Sequence, residues 1–194
     1  MVQKVIALIN RKGGTGKTTS AGYIAQIFHN LNGVTGLDLD PDQSWLKWHR
    51  AGVLPYSVIM GERDDLHEQI EKISSEVVVI DTPPNDEAVI FKVASVAHEV
   101  IIPLAPTTFD VGRIVTTMKT VADVERLRKS PLASVLLTRW QPNLKVAQEV
   151  VALLKEREAP LLDSRIRQLT RYTEFSEPVY LDEYEAVLSE LGVL

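Results

Sequence analysis

Residues 4–19 read Lys4-Val5-Ile6-Ala7-Leu8-Ile9-Asn10-Arg11-Lys12-Gly13-Gly14-Thr15-Gly16-Lys17-Thr18-Thr19. An apolar, β-branched run stops at Asn10, glycine fills three of the four positions 13–16, and a pattern of helical period follows over 17–31. A short run with no polar face predicts a buried strand over 4–9. The glycines let successive backbone N–H groups turn inward without Cβ obstruction, forming a nest for phosphate oxygens. The following helix adds the positive end of its dipole and its unpaired N–H groups. Lys17 brings mobile positive charge to the terminal phosphates, and the Thr18 hydroxyl is placed for magnesium. Strand, glycine loop and helix in that order are the context such a loop requires. The candidate nucleotide-binding residues are therefore Gly13, Gly14, Thr15, Gly16, Lys17, Thr18 and Thr19.

Outward from this loop the same alternation continues. Apolar runs at 34–38, 55–59, 77–81, 99–104 and 133–138 read as strands. Helical patterns occupy 64–74, 86–97, 110–128 and 144–157, with further helices expected near 165–174 and 181–191. Strands as apolar as Val77-Val78-Val79-Ile80 need cover on both faces, as in a parallel sheet. The pattern predicts an α/β fold, a mostly parallel doubly wound sheet of the P-loop NTPase type, as a single domain over 1–194. In such sheets ligands sit beyond the carboxyl ends of the strands, so the residues just after each strand are the ones to read.

Composition narrows the chemistry. The 194 residues include no cysteine, which excludes disulfides, thiolate zinc sites and cysteine-ligated iron–sulfur clusters. The first apolar run is too short to span a membrane and lacks a cleavage site, so it reads as a strand rather than a signal peptide. A formal charge of −5 means that any contact with nucleic acid must come from a local patch.

Two other strand ends carry carboxylates. Val77-Val78-Val79-Ile80-Asp81-Thr82-Pro83-Pro84 is an apolar strand ending in aspartate, a Walker B pattern that sets Asp81 to hold a magnesium-bound water beside the phosphate loop. Strand 34–38 runs into Asp38-Leu39-Asp40-Pro41-Asp42-Gln43-Ser44, with a second carboxylate where a nucleophile would have to be aligned.

The loop departs from the common P-loop pattern at its first glycine, where Arg11 stands, and carries Lys12 before Gly13. This Lys-Gly-Gly-x-Gly-Lys-Thr form resembles the deviant Walker A ATPases of the ParA/MinD group, which includes plasmid and chromosome partition ATPases. The resemblance runs from residue 3 to about 175, with motifs in matching order. It implies that Lys12 reaches across a dimer interface to the partner's nucleotide. Asp38-Leu39-Asp40-Pro41 is similar to the partition segment Asp-x-Asp-Pro-Gln, which implies that Asp40 orients the attacking water and the magnesium shell; Asp42 stands where the family has glutamine. Asp81-Thr82-Pro83-Pro84 resembles the second switch loop. Pro103-Leu104-Ala105-Pro106 resembles the loop leading into a long dimer-interface helix, here 110–128. Arg139 lies where relatives contact adenine. The best match is to short partition ATPases without an N-terminal helix-turn-helix, so operator binding is not expected.

As a whole the resemblance implies ATP and Mg2+ as cofactors, with Lys12, Lys17 and Asp40 catalytic and Thr18, Asp81 and Asp40 around the metal. It also implies a homodimer formed on ATP binding, non-specific DNA as partner, and a ParB-like or cargo-adaptor protein that stimulates slow hydrolysis. The location would be cytoplasmic and nucleoid-associated. Arg165, Arg167 and Arg171, read as one helical segment, are the candidate DNA contacts, with Arg126, Arg128 and Lys129 as a second cluster. Alternatives are an ATPase positioning a non-DNA protein cargo, or a kinase-like enzyme acting on a small molecule. A lipid-docking helix would need a basic polar face. Segment 181–191 is acidic on that face, so it is expected to pack against the domain instead.

Overall fold

The computed structural model describes residues 4–31, 33–170, 172 and 182–194, and for 108–113 the backbone only. Among them run seven strands: β1 (Lys4–Leu8), β2 (Val34–Asp38), β3 (Ser57–Met60), β4 (Val77–Asp81), β5 (Glu99–Leu104), β6 (Leu132–Trp140) and β7 (Leu161–Arg167). The helices are α1 (Lys17–Leu31), α2 (Ser44–Arg50), α3 (Leu66–Glu71), α4 (Glu87–Val96), α5 (Thr108–Arg128), α6 (Lys145–Glu156) and α7 (Asp182–Glu190). The strands form one sheet in the order β3-β2-β4-β1-β5-β6-β7. Every pairing is parallel. The expected α/β doubly wound sheet is thus present, and its described strands are all parallel rather than mostly so.

Strand residues of alternate parity feed two cores, as a period of two dictates. Val5, Ala7 and Ile9 point to one face, covered by α3–α6 through residues such as Leu66, Ile90, Ile114 and Val150. Ile6 and Leu8 point to the other, covered by α1, α2 and α7 through Ile24, Trp45 and Val187. Each such fully buried aliphatic contributes roughly 1.5–3 kcal/mol of transfer free energy. Because β1 is central, the chain leaves its end between β4 and β5, and the glycine loop opens at the crevice where the winding changes side.

Two expectations need correction. Residues 161–167 form strand β7, so Arg165 and Arg167 lie on a strand and not on the helix expected near 165–174. Arg171 lies outside the described residues. A short helix, α2, was not expected at all; it is held at its start by a distant carboxylate, since Asp38 Oδ2 accepts from Leu46 N at 3.0 Å. Of the acidic segment expected to pack, the described part does: α7 buries Tyr184, Val187 and Leu188. No helix among the described residues is long and apolar enough to cross a membrane.

Candidate nucleotide-binding site

Both flanks of the glycine loop are tied to neighbouring strands. On one side, buried Asn10 donates from Nδ2 to Pro103 O at 2.6 Å and accepts from Lys12 N at 2.9 Å. On the other, Thr138 Oγ1 of β6 donates to Thr15 O at 2.8 Å. Between these anchors Gly14 and Gly16 have φ of +74° and +88°, a region where an L side chain is strained by roughly 1–2 kcal/mol. Helix α1 then begins, its first turn leaving N–H groups without intrahelical acceptors and facing the loop. Lys17 is buried, and its Nζ donates to Lys12 O at 3.1 Å. Burial pushes the Lys17 amine below its ordinary pKa, while the charges of Asp81 and Asp40 pull it back up. A buried cation with this little compensation is poised for an anion.

The carboxylates converge on the same place because their strands are adjacent and in register. Leu8 pairs with Asp81, and Asp81 with Asp38. Thr18 Oγ1 donates to Asp81 Oδ2 at 2.6 Å. Asp81 Oδ1 is buried and has no hydrogen-bond partner among the described residues. Burial lifts the Asp81 carboxyl to about 7; the Thr18 hydroxyl and Lys17 oppose the rise, and Asp38 and Asp40 add to it. Asp38 is occupied structurally, accepting Asp40 N at 3.0 Å as well as Leu46 N. Its carboxyl is also raised, chiefly by burial, against the pull of those backbone donors. Asp40 is half-buried and accepts Asp42 N at 3.0 Å, which fixes the start of the following turn.

The residues fit a magnesium ion. A hydroxyl and an unsatisfied carboxylate oxygen side by side are hard donors, and Mg2+ beside a phosphate keeps most of its waters, needing only one or two protein oxygens.

Asp81 also gives a signed stability prediction. With its folded pKa near 7 and its unfolded value near 3.8, the native state holds the proton more tightly. Stability from this group is therefore complete below the unfolded value and falls as pH rises towards 7. Asp81→Asn in the nucleotide- and magnesium-free protein should melt higher than wild type at pH 7.5, by about 5 °C, and the gap should close near pH 4. A variant that melts lower than wild type at pH 7.5 would contradict this assignment.

A second feature extends the loop sideways. A cavity of about 330 Å3 is lined by Gly16, Thr19, Thr138, Arg139, Gln168 and Tyr184, among others. It adjoins the phosphate loop, and Arg139 lies on its wall. Thr138, Asn10, Gln168 and Tyr184 were not singled out from the sequence. Thr138 and Asn10 carried a usable signal, being polar residues at the carboxyl ends of apolar strands.

The basic residues expected to meet DNA are differently placed. The Arg167 guanidinium is ion-paired with Glu183, which also accepts Arg167 N at 3.0 Å and the Tyr172 hydroxyl at 2.9 Å. Arg165 lies 5.8 Å from the centre of the Trp140 ring and donates to Ser164 O at 2.8 Å, with Asp163 and Glu190 close enough to favour its charge. Three carboxylates thus outnumber two guanidiniums, so the described residues here carry no net positive patch.

Comparison with known proteins bears on the family and the fold. The family model for the CobQ/CobB/MinD/ParA nucleotide binding domain matches residues 6–177. A relative named maintenance of carboxysome distribution protein A, from Gloeobacter kilaueensis, is 31% identical over 169 residues, covering 84% of this chain and 76% of the relative. A protein named ParA from Rhizobium radiobacter is 25% identical over 179 residues, covering 87% and 80%. Among solved structures, the ATP complex of Cyanothece McdA superposes with a TM-score of 0.79 at 17% identity, covering 100% of this chain and 98% of that one.

Proposed function

We infer the function from descent as well as geometry: this chain belongs to the CobQ/CobB/MinD/ParA nucleotide-binding family, and we read it as a positioning ATPase that dimerises around ATP. The observation that carries this reading is the loop's double lysine set against the Thr18–Asp81 pair, whose outer carboxylate oxygen is buried and unsatisfied. The backbone nest and Lys17 hold the β- and γ-phosphates. Thr18 and Asp81 would hold magnesium, which would supply positive charge to the phosphate oxygens. Asp40 aligns the attacking water, Lys12 reaches the nucleotide of the second subunit, and Arg139 borders the base. Catalysis on this plan is positioning and charge stabilisation, with no covalent intermediate on the protein.

The ATP-bound dimer, in this reading, binds DNA without sequence preference and uses it as a track, and a partner protein triggers hydrolysis. Two-fold symmetry doubles any cationic patch on one subunit, which matters for a chain of net charge −5. The carried object is either a DNA molecule or a protein body. The relative named for carboxysome distribution favours giving the second equal standing.

A gel-shift series separates these elements. With ATP and magnesium the protein should retard DNA of any sequence, losing at least about tenfold in affinity between 50 and 200 mM salt, and with ADP or no nucleotide it should not. Retention independent of nucleotide, or none in any state, would remove DNA as the track. Formation of a phosphorylated small molecule would instead favour a kinase-like enzyme.

A further inference from the structure

We propose that Arg63 is a positioning residue that latches together the two loops flanking the phosphate site, so that the segment bearing Asp40 and the segment following Asp81 respond to nucleotide as one unit. This rests on the nucleotide-switch reading and adds a residue outside the site described above. Arg63 lies between β3 and α3. Its Nη1 donates to Asp86 Oδ2 at 2.9 Å, and its Nη2 donates to Leu39 O at 3.0 Å. Leu39 immediately precedes Asp40. Asp86 ends the loop that begins at Asp81, and caps α4 by accepting Val89 N at 3.1 Å. One planar guanidinium therefore joins a backbone carbonyl of the first loop to a carboxylate of the second, a task its fixed fork performs and a single ammonium does not.

The Arg63 backbone is itself held in place. Gly61 N donates to Asp38 O at 2.9 Å. The Gln69 amide clamps the connection from both sides, accepting Glu62 N at 2.7 Å and donating to Met60 O at 2.8 Å. Asp64 pairs with Lys92 of α4 at 2.7 Å. The second loop is tied back to the phosphate loop, since Asn85 N donates to Arg11 O at 2.9 Å. A continuous bonded path thus runs from the phosphate loop through Asn85, Asp86, Arg63 and Leu39 to Asp40. The latch is reversible by construction: the Arg63 and Asp86 side chains remain 37% and 30% exposed, so water competes for the pair.

The test uses the full chain with ATP and magnesium. Hydrogen exchange should show nucleotide protecting both 39–43 and 82–87 in the wild type. In Arg63→Ala, protection of 82–87 should persist while that of 39–43 falls. The variant's kcat for ATP hydrolysis should drop about tenfold, with KM within about twofold and little loss of melting temperature. Arg63→Lys should not restore kcat. Asp86→Asn keeps the α4 cap, so combining it with Arg63→Ala should cost no more than Arg63→Ala alone. Undiminished protection of both loops and wild-type kcat in Arg63→Ala would overturn the latch while leaving the nucleotide reading intact. Full rescue by lysine would also overturn it, reducing Arg63 to a local surface contact. A wild-type chain showing no nucleotide-dependent protection would overturn both.

Discussion

Lys17→Ala should weaken ATP binding by about 30-fold or more and bring hydrolysis to background, while costing the nucleotide-free fold little stability. The two halves of that result have one cause. In the folded chain the Lys17 amine is buried, has Lys12 O as its acceptor at 3.1 Å, and is driven below its ordinary pKa by loss of water. Without ligand it is an under-compensated charge, so removing it costs the empty protein little. With a triphosphate in the loop the same amine meets an anion in a dry site, where truncating one partner of a buried charged pair costs 2–5 kcal/mol or more. That range corresponds to about 30-fold to several thousand-fold in affinity. Fluorescent-nucleotide titration with a parallel melting curve reads both quantities. A variant that binds ATP normally would detach Lys17 from the phosphates, and one that simply unfolds would make the residue structural.

Lys12→Ala should act one step later, abolishing ATP-dependent association while the isolated subunit still takes up nucleotide. Lys12 follows Asn10 and Arg11 at the mouth of the loop and is half-buried, with its backbone committed to the loop through Asn10 Oδ1, Thr15 Oγ1 and Lys17 Nζ. Those backbone bonds survive truncation to alanine, so the variant isolates the side chain. A two-fold dimer contains the contact twice, and each substitution removes both copies. A loss of 2–3 kcal/mol per copy compounds to about 10³-fold or more in the dimer dissociation constant. Sedimentation velocity of the variant with ATP and magnesium should show monomer across the micromolar range where wild type is dimeric. A variant that still dimerises would mean that this lysine works within its own subunit.

The phosphate loop was legible because its chemistry needs contiguous residue types: glycines where φ is positive, a lysine and a threonine at fixed steps, and a strand before them. The two-sided burial of β1 and β4 was legible for a related reason, since strands covered on both faces have no polar alternation to hide them. Strand β7 misled because its buried residues, Leu162 and Ile166, are four apart, the spacing of a helix face. The irregular register between β6 and β7 breaks the period of two that would have marked it as a strand. Helix α2 was invisible because seven residues give too little pattern, and its cap comes from Asp38 across the loop. The Arg63 latch joins residues 23 and 24 positions away, so no local pattern announces it. Where chemistry is written in one segment the chain declares it; where it is assembled across loops, only the fold does.

Calorimetric titration of the purified chain with ATP, with and without magnesium, addresses the core of this account most directly. One ATP should be taken up per chain, tighter with the metal present, and pyrophosphate should compete for the same site. No measurable uptake in either condition, or uptake that pyrophosphate leaves untouched, would contradict a triphosphate held by the loop at residues 12–19.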